Sequence, residues 1–197
     1  MNAPVGETED LLRRAREGSR EALGLLLGGC GERLLTLIRL RLGPSLRERV
    51  ESRDVLQATL LKALLHIDGF RGTRRESLMA WLARIAQNEI RDAADFHGRQ
   101  RRQVGRTVAM GGTQELDGLA ADVRSETSRI ALNERSLRLL AALEALSPEH
   151  REVIVLRQLE ERPFAEVAGQ MGRSEDACRM LLARAMATLT ISLGSAG

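Results

Sequence analysis

Phe164-Ala-Glu-Val-Ala-Gly-Gln-Met-Gly172-Arg-Ser-Glu-Asp-Ala-Cys178-Arg-Met-Leu-Leu-Ala-Arg184 is the stretch from which the rest of the chain is read. Ala168 is small where two helices have to cross closely. Gly172 follows four residues later at a turn, and Cys178 with Leu181 or Leu182 returns to an apolar face. That order predicts a helix-turn-helix whose second helix stands clear of its domain and fits a DNA major groove. With Cys178 and Leu182 turned inward, Glu175, Arg179, Met180 and Arg184 face outward. Arg179 or Arg184 can give two hydrogen bonds to a guanine edge. Arg173 can hold a phosphate near the turn, and Ser174 stands beside it as a further candidate contact. Glu175 and Asp176 suit the positive pole of a helix N-terminus but repel phosphate. Glu175 can also accept from cytosine N4. A helical hairpin that only packs against a protein partner has the same pattern.

The bulk composition agrees with helices. The chain has 197 residues, 43% hydrophobic and 29% charged, with a net charge of +3. Aromatics are only 2%, so leucine and alanine must fill the core, which favours helix over sheet. Cys30 and Cys178 are far apart and read as buried small hydrophobes in a reducing compartment. The N-terminus is acidic with no apolar signal core, and no run of about 18 apolar residues is evident. A cytoplasmic chain without membrane insertion is expected.

Punctuation divides the chain into two all-α lobes on a tether. Helices are predicted over about 7–17, then from a Ser19 cap to Gly43-Pro44, with a kink at Gly28, Gly29 and Gly31. Another runs from a Ser52 cap to about Ile67, with Leu56, Leu60, Ala63, Leu64 and Ile67 on one face. A loop over 68–75 leads to a long helix over 76–97. Its inward residues are Leu78, Trp81, Leu82, Ile85 and Ile90, and its polar side is Arg84, Gln87, Asn88 and Arg91. From 103 to 128 the apolar stripe fades and glycines accumulate, which predicts a flexible linker. Helices resume at about Arg129 with Leu137, Leu140, Leu143 and Leu146, and Ser147-Pro148 opens the next one. The expected organisation is 1–102, a linker over 103–128, and 129–197 with the helix-turn-helix.

No catalytic apparatus is expected. His66, His97 and His150 are scattered, and no phosphate loop, dinucleotide fingerprint or nucleophile elbow occurs, so neither a cofactor nor a metal is predicted. A basic tract of Arg99, Arg101, Arg102 and Arg106 extends the helix that bears Arg84, Asn88 and Arg91. Guanidinium groups bind phosphate through two donors and keep their charge, which suits a DNA-backbone track. A solvated helix end with cations near its negative pole is the other reading.

From Asp10 to Leu193 the chain resembles the extracytoplasmic-function sigma factors, the minimal promoter-recognition subunits of bacterial RNA polymerase. Leu12-Arg-Arg-Ala-Arg-Glu-Gly-Ser-Arg-Glu-Ala-Leu23 is similar to the family's opening helices. Asp54-Val-Leu-Gln-Ala-Thr-Leu-Leu-Lys-Ala63 resembles its polymerase-clamp-binding helix. Phe70-Arg-Gly72 with Leu78-Met-Ala-Trp-Leu-Ala-Arg-Ile-Ala-Gln-Asn88 resembles the segment that melts and reads the minus-ten element. Leu143 to Leu156 and the helix-turn-helix resemble the domain that reads the minus-thirty-five element.

The resemblance implies core polymerase and promoter DNA, duplex and melted, as partners. An anti-sigma regulator is common among relatives, and no residue here identifies one. It implies polymerase contacts at Asp54, Gln57 and Leu61. Minus-ten contacts are implied at Phe70, Arg71, Arg74, Arg75, Arg84, Asn88 and Arg91. The chain departs from the family where Ala58 and Leu60 replace acidic and aromatic residues. It departs again where Asp176-Ala-Cys-Arg179 replaces a common Gly-Thr-Val-Lys run. Two other functions fit the bare pattern: a dimeric operator-binding regulator, and a sigma-like mimic that titrates a regulator.

Overall fold

The computed structural model describes residues 5–70, 75–100 and 132–194. The predicted linker over 103–128 lies outside them, as do Arg71, Arg74, Arg101, Arg102 and Arg106. The described residues form helices and turns with no strand. In the first lobe these are α1 (Val5–Arg16), α2 (Arg20–Arg47), α3 (Ser52–Leu65) and α4 (Arg75–Gln100). The second lobe has α5 (Glu134–Ala145), α6 (Pro148–Ile154), α7 (Phe164–Met171) and α8 (Glu175–Gly194).

Local chemistry sets most helix starts. The Ser19 side chain accepts from Ala22 N (3.3 Å) and caps α2. Asn133 does the same for α5 through Ser136 N (2.9 Å), and Ser147 for α6 through His150 N (3.4 Å). At α3 the cap position falls to Glu51, without a side-chain bond, rather than to Ser52. The expected kink at Gly28, Gly29 and Gly31 is absent: inside α2 only Gly43 leaves helical backbone, at φ 65 and ψ 169. Leu26, Leu27, Cys30 and Leu34 are buried through the glycine stretch. Their packing outweighs a propensity penalty of about 1 kcal/mol per glycine. Gly43 adopts a region that side chains disfavour, and Pro44 then opens a last turn ending at Arg47.

In the first lobe α2 packs against α1, α3 and α4. The core stripe of α4 is Leu78, Met79, Leu82, Ala83 and Ala86, all buried, while Trp81, Ile85 and Ile90 are only half-buried. The helix is thus rotated from the expected face, because small Ala83 and Ala86 allow a closer approach. In the second lobe, Arg151 donates to the carbonyls of Leu143 (3.0 Å), Glu144 (2.6 Å) and Leu146 (3.0 Å). It satisfies the orphan C-terminus of α5 and fixes the α5–α6 corner. Leu137, expected inward, is 46% exposed.

Beyond α6 the chain takes a π turn over Val155–Leu159, and then come buried Glu160 and Glu161 at φ 57. Among the described residues α8 alone combines the length of a membrane span with an apolar composition, and at a mean hydropathy of 1.2 it is only weakly apolar. Its Cys178, Leu181, Ala185 and Leu189 are buried, which seats one face of the helix on the second lobe. The lobes also touch: α2 packs on α5 and on the π turn.

Candidate nucleic-acid interface

The helix-turn-helix forms as its spacing requires. Gly172 sits at φ 63 and ψ 35, the left-handed position that ends α7, and its N–H donates to Ala168 O. Arg173 N reaches the same carbonyl at 3.1 Å. Ser174 Oγ accepts from Ala177 N (3.2 Å), so the hydroxyl expected near phosphate caps α8 in this structure. Val167, Ala168, Cys178 and Leu181 close the crossing. Leu181 is the buried member of the leucine pair, and Leu182 is half-buried.

The outer face of α8 presents Glu175, Asp176, Arg179, Met180 and Arg184, all exposed. Arg179 is held within the motif. It lies 2.8 Å from Glu175 and 3.0 Å from Asp176, and its guanidinium stacks over the Phe164 ring at 4.8 Å. Arg157 approaches the same ring at 5.2 Å. Arg173 pairs with Glu149 at 2.7 Å. Arg184 has no ion pair among the described residues.

The first lobe presents a second cationic face. Arg84, Asn88 and Arg91 follow at i, i+4 and i+7 on α4 and are all exposed. Neither arginine has an ion pair among the described residues. Arg75 and Arg99 stand near the two ends of α4. Phe70, expected near the melted strand, is buried at 5% exposure. Its ring lies 5.1 Å from that of Trp81, with Arg16 over it at 5.7 Å and donating to the Phe70 carbonyl at 2.6 Å. An aromatic ring directly after a turn closes the core edge here, so it presents no open face for a base.

On α3, Asp54 is exposed while Gln57 and Leu61 are half-buried, all outside the Leu56 and Leu60 core line. Lys62 next to them pairs with Glu89 of α4, and Asp92 lies 3.8 Å away. The hydrogen bond to Glu89 raises the Lys62 pKa above its ordinary value, against a smaller desolvation effect.

A cluster that sequence reading missed lies behind the helix-turn-helix. Glu160, fully buried, is reached by Arg41 of the first lobe (2.8 Å) and by Arg162 (2.6 Å). Only the crowding of charges in Glu160-Glu-Arg162 hinted at it, and a solvated loop has the same composition.

Residues 32–102 match the family model described as Sigma-70 region 2, and residues 136–189 match Sigma-70, region 4. The chain is 36% identical over 155 residues to the ECF RNA polymerase sigma factor SigG of Mycobacterium tuberculosis. The chain belongs to the extracytoplasmic-function sigma factors. It is 29% identical over 180 residues to the ECF RNA polymerase sigma factor BldN of Streptomyces coelicolor. It is also 29% identical over 184 residues to the RNA polymerase sigma factor CarQ of Myxococcus xanthus. These matches take in 71%, 91% and 93% of this sigma factor. It spans 41% of SigG, 63% of BldN and 95% of CarQ. A solved structure titled "Structure of CnrH in complex with the cytosolic domain of CnrY" aligns with 97% of this chain and 99% of that one, at 26% identity and a TM-score of 0.48.

Proposed function

We propose that this sigma factor binds core RNA polymerase and directs it to promoters, acting by binding and DNA opening rather than by bond chemistry. Such work belongs in the cytoplasm with the polymerase. Residues 1–102 form the polymerase-binding and melting unit, with Asp54, Gln57 and Leu61 as the polymerase contact. Arg84, Asn88 and Arg91 track the minus-ten DNA, with Arg71, Arg74 and Arg75 of the preceding segment. Arg99, Arg101, Arg102 and Arg106 extend the track along the backbone. Residues 129–197 read the minus-thirty-five duplex through Arg173, Ser174, Glu175, Arg179, Met180 and Arg184. Residues 103–128 join the two units, and a flexible chain of that length would span roughly 25–30 Å. An anti-sigma protein is the regulator that family membership suggests.

One observation carries this reading: each segment that matches a sigma region presents its own exposed cationic helix face, α4 in the first lobe and α8 in the second. A conventional operator-binding regulator needs only the second. The test is transcription in vitro with purified core polymerase on a genomic fragment library. Initiation at a defined set of sites that depends on this chain supports the reading. Protection of a palindromic site without polymerase would replace it with the dimeric regulator.

A further inference from the structure

The seam between the lobes is chemically one-sided. Each described ion pair across it has its cation on α2 and its carboxylate in the second lobe. Arg33 pairs with Glu161, Arg41 with Glu152 (2.7 Å) and Glu160 (2.8 Å), and Arg47 with Glu144 (2.5 Å). Arg33 also donates to the Gln158 carbonyl, and Ser136 donates to Glu32. The three arginine side chains are only 20–25% exposed, so solvent screens these pairs less than it does surface pairs. The guanidinium fork matches a carboxylate in shape as well as charge.

The second lobe's side of this seam is locally unfavourable by itself. Glu152, Glu160 and Glu161 flank a π turn, a form frequent at functional sites. Glu161 lies at φ 57, where a side chain is strained. Glu160 is fully buried, and a buried carboxylate stripped of a cation is costly. Lobe separation would leave Glu160 with Arg162 alone and remove Arg33 from Glu161. The same cluster continues into the helix-turn-helix: Arg162 donates to Gln170 on α7 (2.8 Å), and Gln170 donates to Glu152 (3.2 Å).

We infer that the arginine row of α2 (Arg33, Arg41 and Arg47) is a carboxylate-recognising interaction surface. Its occupant in the free chain is the chain's own second lobe, and this contact holds the molecule closed. Closure rests on the seam alone. Only its consequence rests on the role proposed above: polymerase and promoter must compete with the seam before the lobes can reach separate DNA elements.

The test is small-angle X-ray scattering on the full free chain, with circular dichroism to verify helicity. At about 50 mM salt, where exposed charges are less screened than at physiological salt, the wild type should have a radius of gyration near the roughly 16 Å of a compact chain. The reversals Arg33→Glu/Arg47→Glu and Glu144→Arg/Glu161→Arg should each raise it by roughly 4 Å, as separated lobes require. Combining all four substitutions restores opposite charges and should return the compact value. If reversal costs helicity, the neutral pair Arg33→Gln/Arg47→Gln gives the same direction with a smaller rise. A wild type already extended at low salt overturns the inference. So do substituted chains that stay compact, or a fourfold variant that stays open while both reversals open. None of these readouts involves polymerase, so failure here is distinct from failure of the promoter-recognition reading.

Discussion

The two cationic helix faces differ in how their charge is held. On α4, Arg84 and Arg91 stand two turns apart with Asn88 between them and no carboxylate partner among the described residues. On α8, Arg179 is gripped by Glu175 and Asp176 and laid over Phe164, and at the preceding turn Arg173 is tied to Glu149. Exposure is similar, but availability is not. In the proposed promoter complex the α4 face would gain a new partner from phosphate. The α8 face must exchange partners, so part of any base contact goes to replace what the arginine already has. The carboxylates also stabilise their own helix, through its dipole and through i, i+4 pairing. Local stability and DNA affinity therefore pull in opposite directions on α8 and not on α4.

The largest contrast should appear in stability. Glu160→Ala leaves Arg162 without a carboxylate and Arg41 with Glu152 alone, and urea unfolding should show a loss of about 3–5 kcal/mol. Arg84→Ala removes no partner and should stay within about 0.5 kcal/mol. Equal effects would erase the distinction between held and free charge. Next, Arg179→Ala should cost about 1–3 kcal/mol at the preferred upstream sequence and relax discrimination there. Competition binding of holoenzyme to promoter variants checks this, and a uniform loss across all sequences would make Arg179 a phosphate contact.

Glu175→Gln with Asp176→Asn should do the opposite in two assays. The pair should lower thermal stability by about 0.3–1 kcal/mol per residue while tightening holoenzyme on duplex. Weaker duplex binding would show that Glu175 itself reads a base. Arg84→Ala with Arg91→Ala should flatten the logarithmic salt dependence of promoter binding by about 1.4–1.8, the share of two phosphates. An unchanged slope would remove α4 from the DNA face. A small stability loss is expected at Lys62→Met, at most about 1 kcal/mol because the amine is half exposed. Its folded pKa is raised, so its contribution is complete below the ordinary value of 10.5 and is lost as pH climbs through the higher folded value.

Much of this fold could be read from local rules. Ser19 and Ser147 cap the helices they precede, and Ala168, Gly172 and Cys178 mark the crossing, the turn and the buried return of the helix-turn-helix. Each depends on neighbours within about a turn of helix. What escaped depends on distant packing. Periodicity could not tell that Met79, Ala83 and Ala86 would face inward in place of Trp81 and Ile85, since both sets repeat at helical spacing. Glycine propensity suggested a kink in α2 that burial suppresses. The family resemblance implies a minus-ten contact at Phe70, whose ring instead closes the core against Trp81. The seam was invisible because its partners lie 97–128 residues apart, and a charge pattern names no partner at that range. Of the proposed DNA face, the outward placement of Arg179 and Arg184 was legible, whereas the restraint on Arg179 depends on Phe164 beneath it.

Association with polymerase lacking its own specificity subunit tests the central claim most directly. Purified full-length chain should co-migrate with the core enzyme at one copy per polymerase on gel filtration, and Asp54→Arg should abolish this while circular dichroism stays unchanged. A folded wild-type chain that elutes apart from core polymerase at every concentration tried would contradict the account.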